Sequence, residues 1–378
     1  MPWKESSKMS SRLEFVMLAS AQGANIRALC RAFGISPQTG YTLLARYREE
    51  GADGLKERSR RPHSSPRRSS TELEKKVVDL HDTHPFWGPY KLVELLQDVP
   101  IKPHPNTVAA ILRRHGKQVL ATTDVQSSAT KRFEHEAPNL LWQMDFKGHF
   151  PLTDPSAGRC YPLTVLDDHS RYSICLAACS AETGDQVKQA LIAAFRKYGL
   201  PQRFSCDNGN PWGTPKQNGI TKFEVWLLRQ GIKVGHSRPM HPQTQGKAER
   251  FHRTLKRELL ERQGFNSLLA CQSALDKWRD EYNLIRPHEA LGQKPPISRY
   301  TPSARPYAEV PPDVEYEPGE CVRKVRKGGY ISYLNRQIFV SEGLMGEPVA
   351  IRPSDVDGLM NVIFCTRKVA EIDLRIAG

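Results

Sequence analysis

The chain has 378 residues, 39% of them hydrophobic, which is enough to bury a substantial core in two or three domains. Its formal net charge of +14 points to a polyanionic partner. No run of 18 apolar residues and no secretory leader occurs, and the eight scattered cysteines form no Cys-x-x-Cys pair. A membrane span, a disulfide framework and a zinc module are therefore excluded, and a soluble, cytoplasmic protein is expected.

The first 70 residues carry 13 Lys+Arg against 6 Asp+Glu, half of the net charge. Within them, residues 1–55 read as helix, helix, turn, helix. Leu13, Val16, Met17 and Ala21 keep helical spacing, as do Ile26, Leu29, Cys30 and Phe33; Gly34 makes the turn, and Ser36 caps a third helix that opens on Pro37. This is the pattern of a helix-turn-helix, with Gln38 and Thr39 in the first turn of the recognition helix as candidates for DNA contact. Gly40 weakens that helix by about 1 kcal/mol relative to alanine. Residues 56–70 form a basic linker rich in Pro and Ser. There Arg58, Arg60, Arg61, Arg67 and Arg68 are placed to follow DNA phosphates as an extended arm.

Residues 71–116 give three more short helices, a second helical DNA-binding segment or a purely structural one, followed by a polar linker over 117–137. Residues 138–294 then alternate strands and helices: strands near 140–147, 160–167 and 171–178, a helix over 182–198, a strand ending at Asp207, a helix over 221–230, a strand over 232–236, a helix carrying Glu249 and a long helix near 266–283. Three meandering strands followed by alternating helices and strands are expected of an α/β ribonuclease-H-like core. A Pro-rich linker over 295–318 and short apolar runs over 319–378 suggest a final small β-barrel-like domain.

Three separated carboxylates stand out in the core. Trp142, Met144 and Phe146 alternate with Gln143 and Asp145, which puts Asp145 on the face opposite the aromatic one. Asp207 ends a short apolar strand. Glu249 opens a helix in which Ala248, Phe251, Leu255 and Leu259 form the apolar stripe, and Arg253 and Lys256 share its own face. Two strand ends and one helix able to converge on paired divalent cations suit in-line phosphoryl displacement, and magnesium suits carboxylate oxygens. Asp167 and Asp168 lie side by side on a strand, so at most one faces those cations; a structural role is expected for them. Trp212, in a Gly- and Pro-rich loop beside Asp207, either stacks on an unpaired base or packs under its own loop.

In Trp142-Gln143-Met144-Asp145, Leu166-Asp167-Asp168-His169-Ser170-Arg171, Cys206-Asp207-Asn208-Gly209 and Gly246-Lys247-Ala248-Glu249-Arg250, the chain resembles insertion-sequence DDE transposases, whose catalytic core is similar to that of retroviral integrases. The resemblance implies a catalytic, metal-binding triad of Asp145, Asp207 and Glu249 and a DNA-contacting Lys256. It also implies two Mg²⁺ ions with Mn²⁺ as a possible substitute, double-stranded element ends and target DNA as partners, a homodimer or higher oligomer, and action at the bacterial nucleoid. The rivals are a non-catalytic helix-turn-helix regulator that keeps the fold and a nuclease acting on RNA–DNA hybrids.

Overall fold

The structure, a computed structural model, describes residues 8–58, 68–117, 134–207, 209, 211–212, 219–236 and 246–375. It divides into two compact units, Met1–Ser69 and Ser70–Gly378.

Among the described residues the first unit holds three α-helices, α1 (Lys8–Ala19), α2 (Ile26–Ala32) and α3 (Pro37–Glu50), and a short 3-10 turn over Gly51–Leu55. Phe15, Val16, Cys30, Leu43, Leu44 and Leu55 form its core. Ser36 caps α3 through the Thr39 amide, and Gly34 supplies the left-handed turn at φ +66°. Gly40 is a packing requirement rather than a flaw: a Cβ there would lie 2.5 Å from Cys30 Sγ and 2.9 Å from the Phe15 ring. The glycine lets α2 and α3 approach closely, which offsets its poor helix propensity.

The second unit begins with α4 (Thr71–Thr83), α5 (Pro89–Leu95) and α6 (Pro105–Arg114), packed around Val77, Trp87, Leu92, Val108 and Ile111. This helical module is fastened to the rest of the unit: His84 Nδ1 lies 2.9 Å from Glu281 Oε1, and Arg257 donates to the Phe86 carbonyl.

The central sheet comprises β1 (Trp142–Phe146), β2 (Phe150–Pro151), β3 (Arg159–Asp167), β4 (Ser173–Cys179), β5 (Arg203–Cys206) and β6 (Lys233–His236). Its strands run β4–β3–β1–β5–β6, with the two-residue β2 on the start of β3. The first three pair antiparallel and the last two join in parallel, the ribonuclease-H-like order. One face is covered by α7 (Gly184–Tyr198) and α8 (Lys222–Arg229), through Val187, Leu191, Phe195, Phe223 and Leu227 packed on Trp142, Met144, Val165 and Phe204. The other is covered by α9 (Gly246–Leu255) and α10 (Leu268–Leu284), through Phe251, Leu255, Leu275 and Trp278 packed on Leu166 and Leu176. The last turn of α9 widens into a π-helix over Lys256–Leu260.

The Pro-rich stretch near residue 300, expected to be a linker, is part of this packing. Tyr300 is buried and stacks on Tyr172 with ring centres 4.2 Å apart, and Arg305 donates to the carbonyls of Pro201 and Gly231. The chain then forms β7 (Cys321–Lys324), β8 (Tyr330–Tyr333), β9 (Arg336–Phe339), β10 (Pro348–Pro353), β11 (Leu359–Phe364) and β12 (Arg367–Asp373). These make a four-stranded antiparallel sheet, β12–β11–β10–β7, and the hairpin β8–β9; among the described residues no ladder closes them into a barrel. Helix α8 belongs to two cores at once, because Val225 and Leu228 pack with Ile331, Leu344, Val349 and Val362 of this segment.

Candidate active site

The alternation along β1 sends Trp142 and Met144 into the core under α7 and α8, which leaves Gln143 and Asp145 on the face that α9 covers. β1 and β5 run parallel in the register Trp142↔Phe204 and Gln143↔Ser205. Asp145 follows two residues after the last pair of that ladder and Asp207 directly follows β5, and the two are near enough for the charge of Asp207 to act on Asp145. One Asp207 oxygen is held by the Gly209 amide at 3.0 Å. Glu249 lies exposed in the first turn of α9.

These acids sense one another. Burial, then the charges of Asp207, Glu182 and Glu249, push the Asp145 carboxyl up to about 7. Glu182, just ahead of α7, is a fourth carboxylate that the sequence reading missed. Nothing in its local pattern distinguishes it, since only the β3–β4 pairing carries the end of β4 to this edge of the sheet. Among the described residues no three His, Cys, Asp or Glu side chains are drawn close enough to enclose an ion. Asp145 and Asp207 are brought together by the sheet, while Glu249 is close enough to raise Asp145 but does not complete a ligand cage with them. The donor chemistry nonetheless fits hard divalent cations, which prefer carboxylate oxygens such as those of Asp145, Asp207 and Glu249.

His252, one turn beyond Glu249, places Nε2 2.8 Å from Thr164 Oγ1 and Nδ1 4.0 Å from Asp145 Oδ2. Burial and the charge of Lys147 push its imidazole down to about 4. Next to the acids, a cleft of about 370 Å³ is lined by Lys147, His149, Phe150, Lys256 and Phe265. Burial and the nearby Lys256 lower Lys147. Lys256 is exposed and pairs with Glu261 at 3.3 Å; Arg253 is exposed on the same helix.

The two acids expected to be structural are so. Asp167 accepts the amides of Asn139 and Ser170 at 2.7 and 2.8 Å, and Asp168 accepts the amide of His135 at 2.9 Å. On the other flank, His236 Nδ1 lies 2.9 Å from the Asp207 carbonyl and Nε2 lies 2.9 Å from Glu224 Oε1, which also accepts from Arg367 of β12 at 2.7 Å. Hydrogen bonds to the Cys206 thiol and to Glu224 raise His236 to about 10.

Trp212 requires a correction. Only 2% exposed, it stacks on Phe146 at 5.6 Å and meets Phe223 at 5.8 Å, so its ring is a core element and no platform for a base. A loop tryptophan beside two phenylalanines gains more by burying its large apolar area than by waiting in solvent.

In the first unit, Gln38 and Thr39 are exposed, and the Thr39 hydroxyl also bonds Ser36 at 2.8 Å. A groove of about 600 Å³ there is lined by both residues with Arg12, Arg46, Lys56 and Arg58. Arg58 pairs with Glu50, and Arg68 is exposed; Arg60, Arg61 and Arg67 lie outside the described residues. No described helix is long and apolar enough to cross a membrane.

Residues 135–242 and 230–296 match the family described as Integrase core domain. Residues 11–63 match a Helix-turn-helix domain, 39–112 a Homeodomain-like domain, and 320–378 the C-terminal domain of IS481 family transposases. A 39.2 kDa protein of insertion element IS476 from Xanthomonas euvesicatoria is 28% identical over 68% of this chain and 72% of its own. A 31.7 kDa protein of insertion element IS407 from Burkholderia multivorans is 27% identical over 46% of this chain, which spans 60% of that relative. Among solved structures, the HTLV-2 integrase catalytic core domain in complex with magnesium is similar at 19% identity and a TM-score of 0.35, over 44% of this chain and all of that one.

Proposed function

We propose, for a chain that belongs among the insertion-sequence transposases with an integrase core, that Asp145, Asp207 and Glu249 form the centre that cuts the ends of a mobile DNA element and joins them to target DNA. The observation that carries this reading is that the β1–β5 ladder, Trp142↔Phe204 and Gln143↔Ser205, leads Asp145 and the residue after β5, Asp207, toward one another, near enough that the charge of Asp207 adds to burial in holding the Asp145 carboxyl near 7. Magnesium ions, or manganese in their place, supply activation of the attacking oxygen and stabilisation of the leaving one when bound.

The chain's own groups do the rest. Asp145 and Asp207 present their carboxylates from fixed strand ends, and Glu249 approaches from α9. Lys147, Lys256 and Arg253 set positive charge beside them, where a DNA backbone would lie. Water first cleaves a phosphodiester at the element's end and frees a 3′-hydroxyl; that hydroxyl then attacks a target phosphodiester, displacing the target's own 3′ oxygen. Gln38 and Thr39 read the terminal sequence, and Arg58, Arg60, Arg61, Arg67 and Arg68 follow its phosphates. With this goes the division into a reader over 1–55, an arm over 56–70, a second helical module over 71–116, the catalytic core over 138–294 and a C-terminal domain over 319–378. One protomer per end implies a dimer at least, acting at the bacterial nucleoid.

The test is Asp207→Asn, assayed on an oligonucleotide carrying the element's end. Cleavage is expected to vanish while end binding persists; unchanged cleavage would refute the assignment.

A further inference from the structure

The three acids are not held alike. Asp145 sits on β1 and Asp207 directly after β5, two strands joined by a backbone ladder, whereas Glu249 rides on a helix that reaches the sheet through side chains. The apolar stripe of Ala248, Phe251 and Leu255 presses α9 onto the sheet, but apolar packing has no direction and does not set how far the helix slides or turns. Something polar has to fix it.

That group is a buried carboxylate at the end of β3. Asp168, fully buried, accepts from Gln143 Nε2 at 2.8 Å and from Lys247 Nζ at 2.5 Å through one oxygen, and from the His135 amide through the other; Lys247 also donates to its carbonyl at 3.0 Å. Gln143 is two residues before Asp145 on the same face of β1. Lys247 is two residues before Glu249 in the first turn of α9. A single side chain thus grips both elements, each at two residues' remove from an acid of the site. A second anchor lies further along the helix, where His252 meets Thr164, whose hydroxyl donates to the Asp145 carbonyl at 2.9 Å. The two anchors are five residues apart, about 7.5 Å along the axis, and bracket Glu249.

We propose that Asp168 and Lys247 are positioning residues that set the approach of Glu249 to Asp145, and so the affinity of the site for its cations. This rests on the reading of those acids given above. The energetics favour a geometric role, because an ion pair with side chains only 17% and 0% exposed gives up much of its attraction to desolvation and adds little net stability. What it adds is direction: Lys247 reaches two acceptors on one residue, and Gln143 carries the same constraint into β1.

The experiment uses the full chain, as wild type and as Lys247→Met, Lys247→Arg and Asp168→Asn. The rise of the thermal midpoint with Mg²⁺ or Mn²⁺ is recorded without DNA, alongside cleavage and binding of an end oligonucleotide. Groups that orient metal ligands typically change metal affinity by roughly 10- to 100-fold. The half-saturating metal concentration is therefore expected to rise by about that factor in Lys247→Met and Asp168→Asn, with end binding unchanged, while Lys247→Arg stays within about threefold of wild type. A lowered midpoint with an unmoved metal half-saturation would show that the pair merely stabilises the fold and would overturn the proposal. If Asp168→Asn does not fold, Lys247→Met against Lys247→Arg decides on the same readouts. A wild-type chain with neither metal response nor cleavage overturns the underlying reading instead, and is told apart because it shows before any substitution is made.

Discussion

Asp145 and Asp207 on one side, and Glu249 on the other, are two solutions to the problem of placing a carboxylate. The strand-borne pair inherits its proximity from a parallel ladder, whose register is fixed by Phe204 packing against Trp142 and Phe195 in the core. The helix-borne acid depends on a handful of polar contacts laid over an apolar stripe. Damage to the first should therefore appear as loss of the fold, and damage to the second as loss of the site with the fold intact.

The largest break is expected at Phe204→Ala. Removing this fully buried ring should cost about 3–5 kcal/mol and shift the urea midpoint of the core, since the strand pair cannot be lost separately from the sheet. Asp145→Asn acts in the opposite direction. The folded carboxyl is raised to about 7 from 3.8, so its contribution to stability is fully present below 3.8 and is lost as pH rises through 7. The asparagine variant is then expected to be more stable than wild type at pH 8 without metal, by on the order of 1–3 kcal/mol, with a smaller gain at pH 5. Parallel thermal melts at the two pH values check this, and an equal gain at both would argue against a raised Asp145 carboxyl.

A smaller effect is expected from Thr164→Val, which takes the hydroxyl away from His252 and from the Asp145 carbonyl. About 1–2 kcal/mol of stability should go. Cleavage should need more Mg²⁺ by a few-fold, less than for Lys247→Met, because the apolar stripe and the first anchor remain. An effect on metal demand larger than that of Lys247→Met would reverse the order of the two anchors.

The strand-borne half of the site was legible in the sequence and the helix-borne half only in part. Alternation at Trp142, Met144 and Gln143 settles which face Asp145 takes, and the apolar spacing of Ala248, Phe251 and Leu255 settles the buried side of α9. Neither pattern says which strands are neighbours, so the adjacency of β1 and β5 that leads Asp145 toward Asp207 and the arrival of Glu182 could not be derived. Asp168 reads locally as a turn residue; its partners Gln143 and Lys247 are 25 and 79 positions away. Trp212 and Gly40 misled for the same reason. Loop position suggests exposure and helix propensity suggests weakness, but Phe146, Phe223, Cys30 and Phe15, supplied by other segments, decide both. The stretch around Tyr300 and Arg305 looks like a spacer by composition, yet aromatic stacking and three backbone carbonyls hold it down.

The doubly shared helix α8 has a bearing on any shortened version of the protein. Its first turn is closed by the Thr221–Glu224 capping box, and Ser341 both accepts from the Ile220 amide and donates to the Ile220 carbonyl, at 3.1 and 2.9 Å. Arg367 neutralises Glu224 from the far end of the chain, and through Glu224 and His236 the link runs to the backbone of Asp207. Trimming the polypeptide after residue 318 would uncover Val225 and Leu228, strip an otherwise buried acid of its guanidinium and loosen the peptide carrying Asp207. Residues 319–375 are thus a buttress of the strand end that leads to Asp207, whatever else they touch.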